Sequence, residues 1–262
     1  MEQVNPYMVR IMEALRSRAG VQANTNTIEA GRYCSPLLVE AGLDNVDCQE
    51  CGNTGAIPFI DEDGLLKSRT CSCMKRRLSL RRIDNSGLRN LLQKYSFDNY
   101  QTPTDEYVKI RNKALAFAAS GAEWFFICGK PGTGKTHICT AICSNLLDHD
   151  WELRYLLWRT DAAELKAMVN DRLEYKEAMN RLRNAAVLYV DDFFKGSITP
   201  ADVNIAFSIL NDRYNSRGKK TIISTELTID EISKIDDAIA GRIAEKSRGF
   251  LLQAPDLNWR MM

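Results

Sequence analysis

The stretch at residues 129–136, GKPGTGKT, limits the folds open to this chain because its chemistry requires a strand before it and a helix after it. It matches the pattern G-x-x-x-x-G-K-[ST] in full, with the apolar run WFFIC before it and HICTAICSNLL, which has helical spacing, after it. Gly129, Gly132 and Gly134 permit backbone angles that turn successive N–H groups inward. We therefore predict a phosphate-binding loop at a helix start, rather than a simple glycine-rich turn.

The side chains of this loop predict a nucleoside triphosphate as the ligand. Lys135 is expected to reach the β- and γ-phosphates, and Thr136 to offer its hydroxyl to Mg²⁺. The predicted nucleotide contacts are nine consecutive residues: Gly129, Lys130, Pro131, Gly132, Thr133, Gly134, Lys135, Thr136 and His137.

From about residue 106 onward, helical stretches alternate with short and nearly continuous apolar runs. This pattern is typical of a parallel sheet that helices cover on both faces. The predicted strands are residues 124–128, 153–158, 186–191, 220–225 and 250–254. The predicted fold class is therefore α/β with a five-stranded parallel sheet.

A second anchor for the metal is predicted at the end of the strand VLYVDD. Mg²⁺ bound to a nucleotide also needs a ligand from the sheet, usually a carboxylate after a neighbouring strand. We assign Asp191 to the metal, directly or through water, and Asp192 to orienting or deprotonating the attacking water. Aspartates at such positions also serve as N-caps, but the buried strand before them favours the metal site.

The strand KTIIST ends in two polar residues, Ser224 and Thr225. They are placed either to position the lytic water, a role in which we count Thr225 as catalytic, or to cap the following helix, TIDEISKI. The sequence alone leaves both interpretations open.

Four of the eight cysteines are grouped as metal ligands are. Cys48 and Cys51 form C-x₂-C, and Cys71 and Cys73 follow as C-x-C. Two close pairs of thiolates suit a closed, structural Zn²⁺ site, and metal binding would stabilise a segment with too little apolar content to fold unaided. The alternatives are four free thiols in a small β-hairpin, or Cys34 as a substitute ligand.

Positive charge is concentrated in one segment of a chain whose formal net charge is +1. Between Lys67 and Lys94 there are nine basic residues and one acid, Asp84. A basic face of this kind suits single-stranded nucleic acid or an acidic surface on a partner, although a solvated helix face explains it too.

The chain is expected to divide into three regions and to lie in the cytoplasm. It has no apolar run of the length of a membrane span, and its start lacks the apolar core of a signal peptide. Turn formers around Pro103 mark the main boundary. We predict a helical segment at 1–46, a zinc-binding and basic helical segment at 47–95, and the α/β domain at 96–262.

Several motifs together resemble a known family. GKPGTGKTH, VLYVDDFFKG, LNDRYNSRGKKTIISTE and AIAGRIAEKSRGF are similar to the AAA+ ATPase core of bacterial and phage replicative helicase loaders of the DnaC/DnaI type, a group that includes the transposition helper ATPase IstB. DCQECGNTG and the CSCMKRRLSLRR stretch resemble the zinc-bearing front of the phage and Firmicute branch. The resemblance covers nearly the whole chain and implies an AAA+ fold, ATP as the nucleotide and a ring or spiral of identical subunits.

The resemblance also implies roles for three arginines. An arginine of the neighbouring subunit, which stabilises charge on the γ-phosphate, falls on Arg242, with Arg248 as second choice. A surface role is the alternative for Arg242. Arg260 in NWR resembles a terminal arginine that senses nucleotide. The sequence departs from most AAA+ proteins in having Asp192 where glutamate is common, which fits slow, switch-like hydrolysis, and in showing no helical lid after residue 255.

Three functions are weighed on this basis. The favoured one is an ATP-dependent loader that binds the replicative hexameric helicase through its front segment and delivers it to single-stranded DNA. A transposition helper ATPase acting on DNA and a transposase uses the same core. A small-molecule kinase fits less well because it leaves the cysteine segment and Arg242 unexplained.

Overall fold

The computed structural model describes residues 48–61, 65–74, 77–78, 88–259 and 261, and every structural statement below concerns these residues. The chain divides into two compact units, Met1–Met74 and Lys75–Met262. The division therefore falls after Met74, earlier than the predicted boundary after residue 95. The predicted helical segment 1–46 and Cys34 lie outside the described residues.

The first unit contains an antiparallel hairpin of β1 (Ala56–Ile60) and β2 (Leu66–Thr70). The register pairs Ala56 with Thr70 and Ile60 with Leu66, so the strands are matched in length. One cysteine pair precedes β1 and the other follows β2. Both pairs therefore lie at the open end of the hairpin.

The second unit contains a sheet with helices on both of its faces. Its strands are β3 (Trp124–Cys128), β4 (Leu153–Leu157), β5 (Val187–Phe193), β6 (Lys220–Thr225) and β7 (Leu251–Gln253). Its helices are α1 (Leu88–Lys94), α2 (Asp105–Ala119), α3 (Lys135–Asp148), α4 (Trp158–Ala167), α5 (Arg172–Asn184), α6 (Pro200–Tyr214), α7 (Ile229–Ile235) and α8 (Asp237–Lys246), with a 3₁₀ turn at Met168–Asn170. All strand pairs in this sheet are parallel, which confirms the predicted fold class.

Helix α1 explains why the unit boundary differs from the prediction. Leu88 is fully buried, and Leu91 and Leu92 pack against the cluster of buried residues that includes Tyr107 of α2 and Ile138 of α3. The basic residues of the sequence around α1 concealed this apolar face, which assigns the helix to the second unit.

The strand order is β4-β5-β6-β3-β7, so β6 lies between the strand before the phosphate loop and the strand that ends in aspartates. Thr225 at the end of β6 is paired with Cys128 on one side and with Phe193 on the other. The carboxyl ends of three strands therefore meet at one place, where loops of an open parallel sheet usually form a ligand site.

The apolar residues of β3 to β6 alternate between two cores. In β3, Trp124 and Phe126 face a core formed with α4 to α8, whereas Phe125 and Ile127 face the core formed with α1 to α3. All five residues of β3 are buried, and each large side chain contributes about 1.5–3 kcal/mol by leaving water. The loop that follows β3 is thus attached to a strand that is buried along its whole length.

The described helices are all too short or too polar to cross a lipid bilayer.

Candidate nucleotide site and candidate metal centre

The phosphate loop joins the last residue of β3 directly to α3, as its sequence requires. Gly129, Gly132 and Gly134 have φ angles of 147°, 80° and 85°, in the region that favours glycine. A Cβ atom on Gly132 would also lie 2.1 Å from Asn258 Oδ1, which is far inside van der Waals contact. Gly132 is therefore required by its backbone conformation, and the flexible side chain of Asn258 lies close beside it.

Lys135 is the first residue of α3, and its ammonium group lies within the loop. Its Nζ donates to the carbonyl oxygens of Gly129 at 2.6 Å and of Lys130 at 2.8 Å. Burial lowers the pKa of Lys135, while the carboxylates of Glu226 and Asp192 act in the opposite direction. The site thus combines a nearly buried cation with carboxylates close by.

Asp191, which is 3% exposed, accepts hydrogen bonds from three hydroxyl groups. Its Oδ1 accepts from Thr136 at 3.4 Å and from Ser224, and its Oδ2 accepts from Tyr155 at 3.0 Å. The two predicted magnesium ligands, Thr136 and Asp191, are therefore within hydrogen-bonding distance. Their hydroxyl and carboxylate oxygens are the donor type that Mg²⁺ prefers, so the residues fit the predicted metal.

Tyr155 is a member of this cluster that sequence analysis missed. It lies on β4, next to β5, and burial together with the Asp191 carboxylate raises the pKa of its phenol. A phenol with a raised pKa remains a hydrogen-bond donor, so Tyr155 holds one oxygen of Asp191. The alternation of β4 offered no signal for this contact, because it depends on the order of the strands.

Asp192 lies at an irregularity near the end of β5. The register shifts between Val190 and Phe193, and the φ angles of Asp192 and Phe194 are 53° and 58°. Such angles are unfavourable for residues other than glycine and are found in functional sites. The Asp192 carboxylate lies 3.0 Å from Lys195 Nζ, and the same ammonium lies 3.0 Å from a carboxylate oxygen of Glu226.

Lys195 and Glu226 were missed by the sequence analysis. Glu226 directly follows the last residue of β6, and the rule that carboxyl ends of parallel strands meet at one edge would have identified it.

The two polar residues of β6 make structural contacts. Thr225 is fully buried, and its hydroxyl donates to the Phe193 carbonyl at 2.7 Å and accepts from the Leu227 N–H at 3.1 Å. The alternative interpretation, that Ser224 and Thr225 cap the next helix, is wrong: Thr228 caps α7, in a capping box with Glu231. The hydroxyl of Thr225 is thus bonded to backbone groups.

The ring of His137 contacts the segment before α2. Its Nε2 donates to the Ser96 carbonyl at 3.1 Å and to Asn99 Oδ1 at 2.8 Å, and the ring stacks on Tyr95 with centroids 4.5 Å apart. His137 therefore attaches residues 95–99 to the first turn of α3, beside the loop.

Arg242 lies on α8, and its guanidinium is held by groups of its own chain. It donates to the Ala238 carbonyl at 2.8 Å and lies over the rings of Phe207 at 4.8 Å and Tyr214 at 5.6 Å. Arg248, by contrast, is exposed. Arg260 lies outside the described residues.

The four predicted zinc ligands converge in the first unit. All their sulfur atoms lie within 4.8 Å of one another, with Cys48 and Cys71 at 3.7 Å and Cys51 and Cys73 at 3.6 Å. Four sulfurs at the usual Zn–S bond length of about 2.3 Å lie about 3.8 Å apart in a tetrahedron. The thiols therefore fit the size and geometry of a structural Zn²⁺ site.

The loop that follows the first cysteine pair supports this arrangement. Gly52, Asn53 and Gly55 have φ angles of 55°, 68° and 75°, which curl the chain around the thiols. The Gly55 N–H donates to Cys51 Sγ at 3.3 Å. Burial acts to raise the pKa of Cys51, but hydrogen bonds from the Gly55 N–H and the neighbouring thiols lower it to about 7, which favours the thiolate that a metal needs.

Comparison with known proteins identifies relatives of this chain. Protein YqaM of Bacillus subtilis (strain 168), which is uncharacterised, is 32% identical over 200 residues, which are 71% of this chain and only 63% of that protein. The phage-like element PBSX protein XkdC of the same organism is 28% identical over 259 residues, 89% of this chain and 94% of XkdC. The replicative helicase loader DnaC of Escherichia coli (strain K12) is 27% identical over 195 residues, 71% of this chain and 77% of DnaC.

Comparison with solved structures points to the same group of proteins. A crystal structure of the DnaC helicase loader superimposes with a TM-score of 0.57 at 18% identity, covering 63% of this chain and 98% of the other. A family model described as IstB-like ATP binding protein matches residues 60–245, well over half of the chain. The chain therefore belongs to the IstB-like ATP-binding family, as an AAA+ protein related to the DnaC and DnaI helicase loaders.

Proposed function

We propose that this protein is an ATPase that binds a replicative hexameric helicase and delivers it to single-stranded DNA in the cytoplasm. The observation that supports the ATPase activity is the contact between Thr136 of the phosphate loop and Asp191 of β5, at 3.4 Å. The relationship to a protein named replicative helicase loader supports the choice of partner.

In this proposal the phosphate loop binds the nucleotide and β5 supplies the metal-side carboxylates. The loop N–H groups and Lys135 bind the β- and γ-phosphates of ATP, and Thr136 and Asp191 would hold Mg²⁺. Bound Mg²⁺ neutralises charge on the phosphate oxygens. Asp192 orients the attacking water, and its pairing with Lys195 fits a slow, switch-like ATPase.

An arginine from a neighbouring copy completes the site in a ring or spiral. Arg242 and Arg248 are the two candidates, on or just after α8. Because the Arg242 guanidinium rests on α6, that residue would have to leave Phe207 and Tyr214 to reach a neighbour, whereas Arg248 is already exposed.

The cysteine unit is proposed to be the platform that contacts the helicase. Cys48, Cys51, Cys71 and Cys73 would hold one Zn²⁺, which fixes the ends of the hairpin. Metal analysis of the purified protein should find about one zinc per chain. Cys48→Ser with Cys51→Ser should lose the zinc and the helicase while the second unit still binds ATP, and zinc retained by that variant would contradict the ligand assignment.

The main test compares a lysine of the loop with an exposed lysine of another helix. Lys135→Ala should lower ATP turnover by at least about 10²-fold, because it removes the buried cation directed at the phosphates. Lys176→Ala is the control, since that side chain is exposed on α5, so its turnover should stay within about twofold of wild type.

The helicase partner is tested with the same proteins. Wild-type protein should co-purify with a hexameric replicative helicase. It should also increase the rate at which that helicase unwinds DNA whose single-stranded part is coated with protein, and Lys135→Ala should fail in this second assay. Wild-type protein that turns over ATP but neither binds nor assists the helicase would leave an ATPase with another partner.

The family match favours one second candidate, a transposition helper. The family model is named for an IstB-like protein, and such a protein would act on DNA and a transposase. If the purified protein retained a transposase but no helicase under the same conditions, this second function would be supported.

A further inference from the structure

Two successive peptide groups of the phosphate loop are bonded from outside the loop. The carbonyl of Gly132 accepts a hydrogen bond from the backbone N–H of Trp259 at 3.0 Å. The carbonyl of Thr133 accepts one from the Tyr107 hydroxyl at 3.4 Å. Both donors come from segments remote in sequence: Tyr107 from the first turn of α2 and Trp259 from the tail that follows β7.

Holding these carbonyls fixes the direction of two N–H groups. Every described peptide bond is trans, and in a planar trans peptide the C=O and N–H point in opposite directions. The N–H groups of Thr133 and Gly134 belong to the same two peptide groups and therefore point away from Trp259 and Tyr107. Successive N–H groups that point to one side of a turn form an anion-binding nest.

The two donors form one structural unit. The rings of Tyr107 and Trp259 meet edge to face with centroids 5.5 Å apart, and Tyr107 is fully buried. A hydrogen bond with Trp259 is one of the influences on the pKa of Tyr107, which burial raises. Any movement of the tail therefore also changes the surroundings of the Tyr107 hydroxyl.

The tail follows the loop along its length. The Ala254 N–H donates to the Cys128 carbonyl at 2.8 Å, directly before the loop, and Asp256 pairs with Lys130. The Asn258 side chain occupies the space beside Gly132. The tail is thus anchored at both ends of the segment that contacts the loop.

We propose that Tyr107 and Trp259 are positioning residues for phosphate binding, which orient the Thr133 and Gly134 peptide groups before the nucleotide arrives. The proposal rests on the ATP site proposed above and adds that the tail after β7 is part of it. Preorganised donors bind an anion without the cost of ordering them, so loss of either contact should weaken binding.

The test is a comparison of steady-state ATPase parameters in four variants of the full chain. Tyr107→Phe removes one hydroxyl and keeps the ring, and its KM for ATP should rise about 3- to 10-fold, as expected for one hydrogen bond. Trp259→Pro removes the backbone N–H and should raise KM at least as much. Trp259→Phe keeps that N–H and should have a smaller effect, and Tyr175→Phe on α5 is the control without a loop contact.

The test is decided by whether a substitution changes KM or kcat. A variant that is merely less well folded has fewer active molecules, so its kcat falls while its KM stays at the wild-type value. Positioning predicts the reverse, a raised KM with kcat within about twofold of wild type, because saturating ATP restores the loop conformation.

Two results would overturn the inference. One is a wild-type KM in Tyr107→Phe, and this variant retains its packing, so it tests the proposal even if Trp259→Pro fails to fold. The other is equal KM values for Trp259→Pro and Trp259→Phe in soluble protein. Both leave the proposed ATPase intact, whereas wild-type protein that neither binds nor hydrolyses ATP would overturn the proposed function together with this inference.

Discussion

The two ends of the central sheet both hold buried charged side chains, and the partners of those side chains differ. At the amino end, Arg213 and Lys220 are 1% and 4% exposed and donate almost entirely to backbone carbonyls. At the carboxyl end, the buried Asp191 and the partly exposed Asp192 and Lys195 contact other side chains, and Asp192 has an unfavourable φ angle.

The two cations at the amino end of the sheet donate hydrogen bonds to carbonyl groups at the ends of two helices. Arg213 donates to the carbonyls of Leu182, Arg183 and Ala185, where α5 ends, and also to Lys220 O and Thr221 Oγ1. Lys220 Nζ donates to three carbonyls where α2 ends, those of Phe117, Ser120 and Ala122. The last carbonyls of a helix lack partners within it and carry partial negative charge, so these cations satisfy groups that would otherwise be buried without a bond.

This difference indicates at which end of the sheet the charged side chains can exchange their bonding partners. Backbone carbonyls are fixed in place, so the bonds of Arg213 and Lys220 serve the folded state alone. At the other end, the carboxylates of Asp192 and Glu226 share the ammonium group of Lys195, and these bonds between side chains can be exchanged for bonds to a ligand. Buried charge is therefore not by itself evidence of function, since Lys135 of the loop also donates to backbone carbonyls. The evidence lies in the carboxylates beside it, whose cation Lys195 can exchange partners.

The largest predicted effect at the amino end follows from Arg213. Arg213→Met keeps the apolar stem but leaves buried carbonyls without donors, and the free energy of unfolding should fall by about 3 kcal/mol. The KM for ATP should not change, which is the opposite profile to Lys135→Ala. Urea unfolding and steady-state kinetics on the same preparation measure both.

Two outcomes would contradict the proposed difference between the two ends of the sheet. A raised KM in soluble Arg213→Met would show that the amino end acts on the nucleotide site. A loss of stability as large in Lys135→Ala would show that the carboxyl end is equally structural. Arg217→Met, three residues before Lys220 and exposed at the surface, is the control for removal of positive charge.

Sequence patterns predicted some features of the sheet and its site but not others. The five strands and the loop were predicted because continuous apolar runs and glycines at fixed spacing are local signals. The position of β6 between β3 and β5 has no local signal, and it determines that Ser224 bonds to Asp191.

The other contacts missed by the sequence analysis have the same origin. The sequence analysis assigned no role to the Arg213 and Lys220 side chains, because their carbonyl partners lie on segments 28 and about 100 residues away. The division after Met74 was missed since the apolar face of α1 is hidden among basic residues. Contacts between remote segments require the strand order, which the sequence pattern does not contain.

The smallest predicted effect concerns an ion pair at the amino end, where Glu123 precedes β3. Its carboxylate accepts from Lys246 Nζ at 2.6 Å and from the Gly218 N–H at 2.9 Å. Burial acts to raise the pKa of Glu123, but these two hydrogen bonds lower it below its ordinary value overall. A carboxyl group whose pKa is lowered by folding stabilises the protein above its unfolded pKa, and this stabilisation is lost as the pH falls through the folded pKa.

Glu123→Gln keeps an acceptor for Gly218 and removes the charge. At pH 7 it should unfold about 1 kcal/mol more easily than wild type, and the difference should shrink below about pH 4, where the wild-type carboxyl group is protonated too. Urea unfolding of both proteins between pH 3 and pH 7 measures this. A difference that persists unchanged at pH 3 would mean that shape rather than charge matters at this position, and the amino end would then be stabilised by its helix-capping cations alone.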